Sequence, residues 1–283
     1  MRGVWLIAFA LLFSRTAANA VESAPAVSER ATVSLVSEAD SYRPGQDVRV
    51  GLRFRLAPGW HIYWRNPGDA GSPPEITWAL PAGARAGDIA WPAPVREAQG
   101  PVTSYVYSGD VLLPVRITPP SGDGALDIAA AASWLVCGKI CVPEEGRFRL
   151  SLRAGAATPG AAARLFADAD ARAPRPGPFA ASVAADGSLR LAGQGLSPST
   201  IQGAWFYPFA WGEIDQNTPQ PLTVDQGGLT LRLKPGAAFK ADQPLDGVVV
   251  LRAPTGNETY LAVRATQGAP SQHDGGQHDA HTP

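Results

Sequence analysis

Two cysteines, Cys137 and Cys141, are all that this chain contains, and they stand four apart within "WLVCGKICVPEEG", residues 134 to 146. Side chains of this type at this spacing suit three chemistries: a structural cross-link, part of a metal clip, or a dithiol that cycles with its disulfide. Positions i and i+4 of one extended strand lie roughly 13 Å apart, beyond the Cα separation of about 4.4 to 6.8 Å that a disulfide tolerates. A helix would bring them together, but Val136, Ile140 and Val142 around Gly138, with Pro143 following, are poor helix formers. A hairpin fits: one strand ends at Cys137, Gly138-Lys139-Ile140 forms a three-residue loop, and Cys141 opens the return strand opposite.

Magnitude weighs against a pure staple, since closing a loop of about five residues removes only about 2 kcal/mol of unfolded-state entropy, against about 4.7 kcal/mol for a 100-residue loop. Lys139 between the sulfurs and an accessible hairpin tip favour thiolate character and exchange. A metal site needs more ligands than the pair supplies. Once the N-terminus is removed no methionine remains, and three of the four histidines, His273, His278 and His281, crowd into "HDGGQHDAH" near the C-terminus. Those three are weak candidates for holding Ni(II), Cu(II) or Zn(II). The remaining one, His61 in "GWHIYW", reads as a packed or surface strand residue. A Cys-His hydrolase would need an oriented third group and an oxyanion site, and no motif marks either. Redox exchange, a structural disulfide and metal binding therefore all stay open on the residues alone.

The elements that must position the pair emerge from patterning. Arg2 precedes the apolar run "VWLIAFALLF", and "SRTAANA" places Ala18 and Ala20 at the small-residue positions of a cleavage site, so residues 1 to 20 read as a secretory signal peptide and the mature chain begins near Val21. No cysteine follows that cut, which rules out lipid attachment there. Cleavage removes Arg2 and Arg15, leaving 22 basic residues against 25 acidic ones, a balance with no electrostatic case for nucleic acid. No later apolar run approaches the length of a membrane span.

From Ala31 onward the chain alternates apolar and polar residues, as in "ATVSLVSEA" and "DVRVGLRFRL", where Val48, Val50, Leu52, Phe54 and Leu56 share a face. Further strands are expected at "EITWAL", "DIAWP", "DVLLPVRITP", "ALDIAAAASWLVC" and "GRFRLSLR", with Gly- and Pro-rich turns between. Residues 24–153 thus read as a β-sandwich of about seven to nine strands. An Ala-, Pro- and Gly-rich stretch, 154–178, reads as a connection with one short helix around "AAARLFADADA". Alternation resumes in "SLRLAGQGL", "IQGAWFYPFA", "GLTLRLKPG", "LDGVVVLRAP" and "TYLAVRAT", a second, smaller β-domain over 179–266. The tail, 267–283, has too little apolar content to bury a core and is expected to be disordered.

In order, "GWHIYWRNPGDAGSPPEITW", "YVYSGDVLLPV" and "WLVCGKICVPEEG" resemble the N-terminal periplasmic region of DsbD-type thiol:disulfide interchange proteins, the "disulfide bond corrector" domain, most nearly its ScsB-like branch. In that branch the region C-terminal to the sandwich is similar to "WFYPFAWGEIDQNTPQPL" of this chain. The resemblance implies an all-β protein, an immunoglobulin-like sandwich whose cysteines cycle, periplasmic, without cofactor, in the setting of disulfide handling and cytochrome c biogenesis. It implies Cys141 as the exchanging nucleophile and Cys137 as the resolving thiol. It also implies a shielding cap at about residues 95–107, here offering Tyr105 and Tyr107, and it brings Tyr63, Trp64 and Asp69 near the sulfurs, where Tyr63 and Asp69 would tune them. The competing reading of Trp60, Trp64, Trp78, Trp91 and Trp134 is core packing, and Asn66-Pro67-Gly68-Asp69 is first a turn. Neither a membrane conveyor nor a thioredoxin-like domain is legible here, so the expected partners act in trans: a periplasmic thioredoxin-like oxidoreductase, a membrane electron-conveying protein, or both. The rival expectation is a non-catalytic binding module with a permanent disulfide, linked to metal stress.

Overall fold

The computed structural model describes residues 21–268; the signal-peptide reading and the three tail histidines fall outside them. The first strands are β1 (Ala26–Val27), β2 (Ala31–Ser37), β3 (Ser41–Tyr42), β4 (Val48–Leu56), β5 (His61–Gly68) and β6 (Glu75–Ala79). Next come β7 (Arg85–Ile89), β8 (Val95–Gln99), β9 (Val102–Ser108), β10 (Asp110–Thr118), β11 (Leu126–Cys137) and β12 (Cys141–Ala154). Beyond helix α1 (Ala163–Ala171) lie β13 (Arg175–Pro176), β14 (Ala180–Val183), β15 (Ser188–Ala192), β16 (Gly203–Pro208), β17 (Leu222–Asp225), β18 (Gly228–Arg232), β19 (Leu245–Arg252) and β20 (Glu258–Gln267).

Period-two alternation builds the first sandwich. On β4 the five apolar residues from Val48 to Leu56 are buried while the arginines take the other face, because side chains two apart share one side of a pleated strand. β4 lies inside a sheet of order β1-β2-β4-β10-β7, and the facing sheet runs β3-β12-β11-β5-β9-β8, with β6 also paired to β11. Phe54, Leu113, Ile128, Trp134 and Phe148 meet between the sheets, with Phe54 and Trp134 edge to face at 5.5 Å. The β-sandwich expected from alternation, immunoglobulin-like as the resemblance implies, is thus the observed fold, and a second β-domain comes after it.

That second domain is one sheet of order β16-β19-β20-β14-β15-β18-β17, with β13 paired to β20. Its own core includes Leu189, Leu191, Phe206, Leu229, Leu231 and Val249.

The connecting stretch is packed rather than loose. Phe166 and Ala169 of α1 bury against Val36 and Leu112 on the outer face of the first sheet, and Arg49 makes a two-pronged contact with the Asp170 carboxylate at 2.6 and 2.9 Å.

The sequence Asn66-Pro67-Gly68 does not form a free turn: it extends β5, whose register against β9 shifts between Tyr63 and Gly68. Pro67 has no N–H for a ladder bond, and Gly68, at φ 85°, passes so close to Thr103 that a Cβ would collide with the Thr103 carbonyl oxygen. The irregularity turns Asn66 toward the second domain. Buried, it donates from Nδ2 to the carbonyls of Pro208 at 2.9 Å and Ala210 at 3.1 Å, and accepts from Gly68 N–H at 3.1 Å.

Around it Trp64, Tyr105, Tyr207 and Phe209 pack ring against ring, with Tyr105 and Tyr207 at 5.1 Å. The first core accordingly continues into Tyr207, Val248 and Val250 of the second domain.

These contacts separate two hydroxyl and amide substitutions that sequence context alone would treat alike. Asn66→Ala leaves two interdomain carbonyls without their donor and is expected to cost about 1–3 kcal/mol in chemical denaturation. Tyr105→Phe removes a buried hydroxyl that has no hydrogen-bond partner and is expected to be neutral or mildly stabilising. Equal losses in the two variants would contradict this account of the interface.

Candidate functional site

The β11–β12 ladder runs unbroken from Leu126↔Leu152 to Cys137↔Cys141. Along β11, Leu126, Ile128, Ala130, Ala132, Trp134 and Val136 point into the sandwich, so Leu135 and Cys137 lie on the outer face. Facing residues share a side of the ribbon, and Cys141 therefore meets Cys137 there, with Cα atoms 4.1 Å apart and the two sulfurs bonded. Farther down the ladder, Glu144 is held by Trp134 Nε1–H at 3.2 Å and Arg30 Nε–H at 2.7 Å.

The loop closes through a bond from Gly138 N–H to the Ile140 carbonyl, 3.0 Å. Residue 138 passes close to the Ala57–Trp60 turn: a Cβ on it would lie 2.9 Å from the Gly59 carbonyl oxygen and 3.4 Å from the Trp60 ring. Glycine is what allows that approach. Lys139 and Ile140 project into solvent, Ile140 being 65% exposed.

Burial divides the pair. Cys137 is 1% exposed and packs with Tyr63 and Val106 under Leu135, whereas Cys141 is exposed. The cover over Cys137 comes from β5, whose His61 is its ladder partner, and from β8 and β9 beyond. Residues 95–107, expected to cap the pair, are this β8–β9 hairpin, turned at Gly100 and Pro101. Its Glu97, Gln99, Val102 and Ser104 join His61, Tyr63 and the cysteine loop around a cavity of about 200 Å³.

Of the residues singled out by sequence, Tyr63 and Lys139 line that cavity, and Tyr63 Oη stands 3.6 Å from Cys141 Sγ. Gly71, at φ 93°, lies against the Tyr63 ring, where any side chain would clash, and so holds the ring in place. Three others are directed elsewhere. Tyr105 packs on Tyr207 and Trp64. Tyr107 is buried and donates to the Pro92 carbonyl at 2.6 Å. Asp69 accepts from Thr103 N–H at 2.7 Å and from the side-chain amides of Gln216 and Asn217 in the second domain.

Two residues complete the site: His61, legible in sequence only as a packed or surface strand residue and here buried edge-on to Tyr63 at 5.3 Å, and Glu97, which no motif marks. Burial lowers the His61 pKa, opposed in part by the nearby Glu97 carboxylate, and raises that of Tyr63. The signal for His61 was present, since residues 61 and 63 of one strand share a face; none existed for Glu97, which arrives from another hairpin.

Chemically, a disulfide between one buried and one exposed cysteine, with a hydroxyl 3.6 Å from the exposed residue's sulfur, is open to thiol-disulfide exchange with an external thiolate.

No protein with a curated description matches this sequence. Among solved structures, the N-terminal periplasmic domain of ScsB from Proteus mirabilis aligns over 88% of this chain and 100% of its own, at 19% identity and a TM-score of 0.61, a likeness of fold. The periplasmic chaperone SfaE aligns over 83% of this chain and all of its own at 11% identity, with a TM-score of 0.23 that carries no structural argument. Residues 32–152, which include Cys137 and Cys141, match the family model for the N-terminal part of the thiol:disulfide interchange protein DsbD, and the sandwich is similar to that domain.

Proposed function

We propose that this protein exchanges electrons with protein partners through the Cys137–Cys141 pair, Cys141 being the sulfur that meets the partner and Cys137 the one that resolves. The observation that carries this reading is the unequal burial of the two cysteines: 1% exposure at Cys137 against an exposed Cys141 on a projecting tip. In the reducing half-reaction a partner thiolate attacks Cys141 Sγ, a mixed disulfide forms, and Cys137 leaves as the thiolate. A second partner thiolate then attacks the partner's own sulfur in that mixed bond, and the pair emerges as a dithiol with two electrons gained. Run backwards, Cys141 attacks a partner disulfide and Cys137 releases the partner reduced.

The partners are proposed to be a thioredoxin-like oxidoreductase, a membrane electron-conveying protein, or both, reached in the periplasm after removal of residues 1 to 20. The DsbD-type sandwich over 32–152 supports that setting, and no helix among the described residues is long and apolar enough to cross a membrane. The bond's stabilising role is secondary, because the loop it closes is so short.

Two measurements test this. Cys137→Ser, expressed in the native periplasm, is expected to accumulate a reductant-sensitive adduct with a partner, while Cys141→Ser accumulates none. Reduction of the wild-type pair is expected to lower stability by only about 2 kcal/mol. If neither variant trapped an adduct and reduction unfolded the first domain, the pair would be a staple and the protein a binding module.

A further inference from the structure

His61 occupies a place that packing alone does not explain. It lies opposite Cys137 in the ladder at 5% exposure, and a buried imidazole needs partners at its ring nitrogens. Nδ1 stands 3.5 Å from Glu97 Oε2 and Nε2 stands 3.4 Å from Tyr63 Oη. With the hydrogen on Nδ1, toward a carboxylate that only accepts, Nε2 is left to accept from the Tyr63 hydroxyl. Tyr63 Oη reaches Cys141 Sγ at 3.6 Å. Four side chains from three separate stretches of chain thus form one line: Cys141, Tyr63, His61, Glu97.

We propose that Tyr63, His61 and Glu97 are a proton relay serving the Cys141 thiol, with Tyr63 the catalytic residue at the sulfur and His61 the positioning residue that stores the proton. The inference rests on the exchange reading above and deepens it. When the pair is reduced, the Cys141 thiol passes its proton to Tyr63 Oη as Tyr63 passes its own to His61 Nε2. The imidazolium so formed is held at Nδ1 by the Glu97 carboxylate, and Cys141 Sγ, now a thiolate hydrogen-bonded by Tyr63, attacks the partner disulfide. The new S–S bond forms as the partner's S–S bond breaks, and the departing partner thiolate carries the electron pair. In reverse, the imidazolium returns the proton to Cys141 as it becomes a leaving thiol.

Burial supports both roles. It keeps His61 neutral near neutral pH, ready to accept, and it opposes a lasting tyrosinate, so Tyr63 hands its proton on. The titratable and charged groups around His61 are Glu97 from β8, Tyr63 on its own strand, the two cysteines, and Lys139 on the loop. Its neighbour on β9, Ser108, is neutral.

The test is the pH dependence of Cys141 reactivity in the reduced full mature chain, read with oxidised glutathione and with iodoacetamide. His61→Gln and Tyr63→Phe are each expected to slow both reactions about tenfold at pH 7, the loss corresponding to about one unit in the apparent thiol pKa. Above about pH 9.5, beyond the ordinary thiol range, solvent removes the proton and the rates are expected to match wild type. The double variant is expected to be no slower than either single one, and Glu97→Gln to fall between. Circular dichroism and the melting temperature of the oxidised form establish that each variant is folded. Superimposable profiles for His61→Gln and wild type would overturn the relay, as would a loss equal at every pH, which would mark His61 as packing. Because glutathione and iodoacetamide need no native partner, this outcome is independent of whether Cys137→Ser traps one.

Discussion

Everything at the tip depends on the register of one antiparallel pair. The ladder between β11 and β12 starts at Leu126↔Leu152 and ends at Cys137↔Cys141 with no bulge, and alternation makes a one-residue slip impossible without turning Trp134, Val136 and Phe148 out of the core. The apolar face that stabilises the sandwich is thus also what holds the two sulfurs opposite each other. The disulfide is a consequence of that register far more than a cause of it, which is why its loss should leave the ladder standing. A disulfide built this way can open and close without refolding its support.

The asymmetry between the sulfurs comes from neighbours rather than from the hairpin. An isolated two-stranded ribbon would expose Cys137 and Cys141 alike. β5 crosses beside Cys137 and brings Tyr63, His61 and the β8–β9 hairpin over it, while nothing equivalent covers Cys141 among the described residues. The same hairpin also meets the second domain on its other side: Arg96 lies over the Trp205 ring at 5.0 Å, next in sequence to Glu97, which faces His61. Consecutive residues of β8 point to opposite faces of the sheet, so one short strand is braced by the second domain and covers the cysteine site at once. Asp69, bonded to Thr103 on β9 and to Gln216 and Asn217, strengthens that brace. The second β-domain is therefore tied to the site's cover through hydrogen bonds and stacked rings.

Much of this was legible in the chain. Alternation at Val48 to Leu56 determined the buried face of β4, because a period of two has one physical reading when the apolar set is unbroken. The spacing Cys137-Gly-Lys-Ile-Cys141, with β-branched residues around it, determined a hairpin and a facing pair. "AAARLFADADA" determined a helix, since Phe166 and Ala169 fall three apart on one side. What the residues left open was the choice among staple, clip and exchange, which turns on exposure, and exposure belongs to the whole fold.

Tertiary structure alone decided where several of the singled-out side chains point. Tyr105 and Tyr107 stand in the covering hairpin, yet they point to the domain interface and the core, because the pairing of β9 with β5 and β8 sets which side each takes. Asn66-Pro67-Gly68 carries turn residues, yet a missing proline donor and a glycine at positive φ bend a strand instead of ending it. His61 and Glu97 are 36 positions apart in the sequence and become neighbours through non-local strand pairing. Local composition determines how a segment folds against itself; which side chains gather beside a sulfur is set by pairings between distant segments, and those depend on burying all the apolar faces at once.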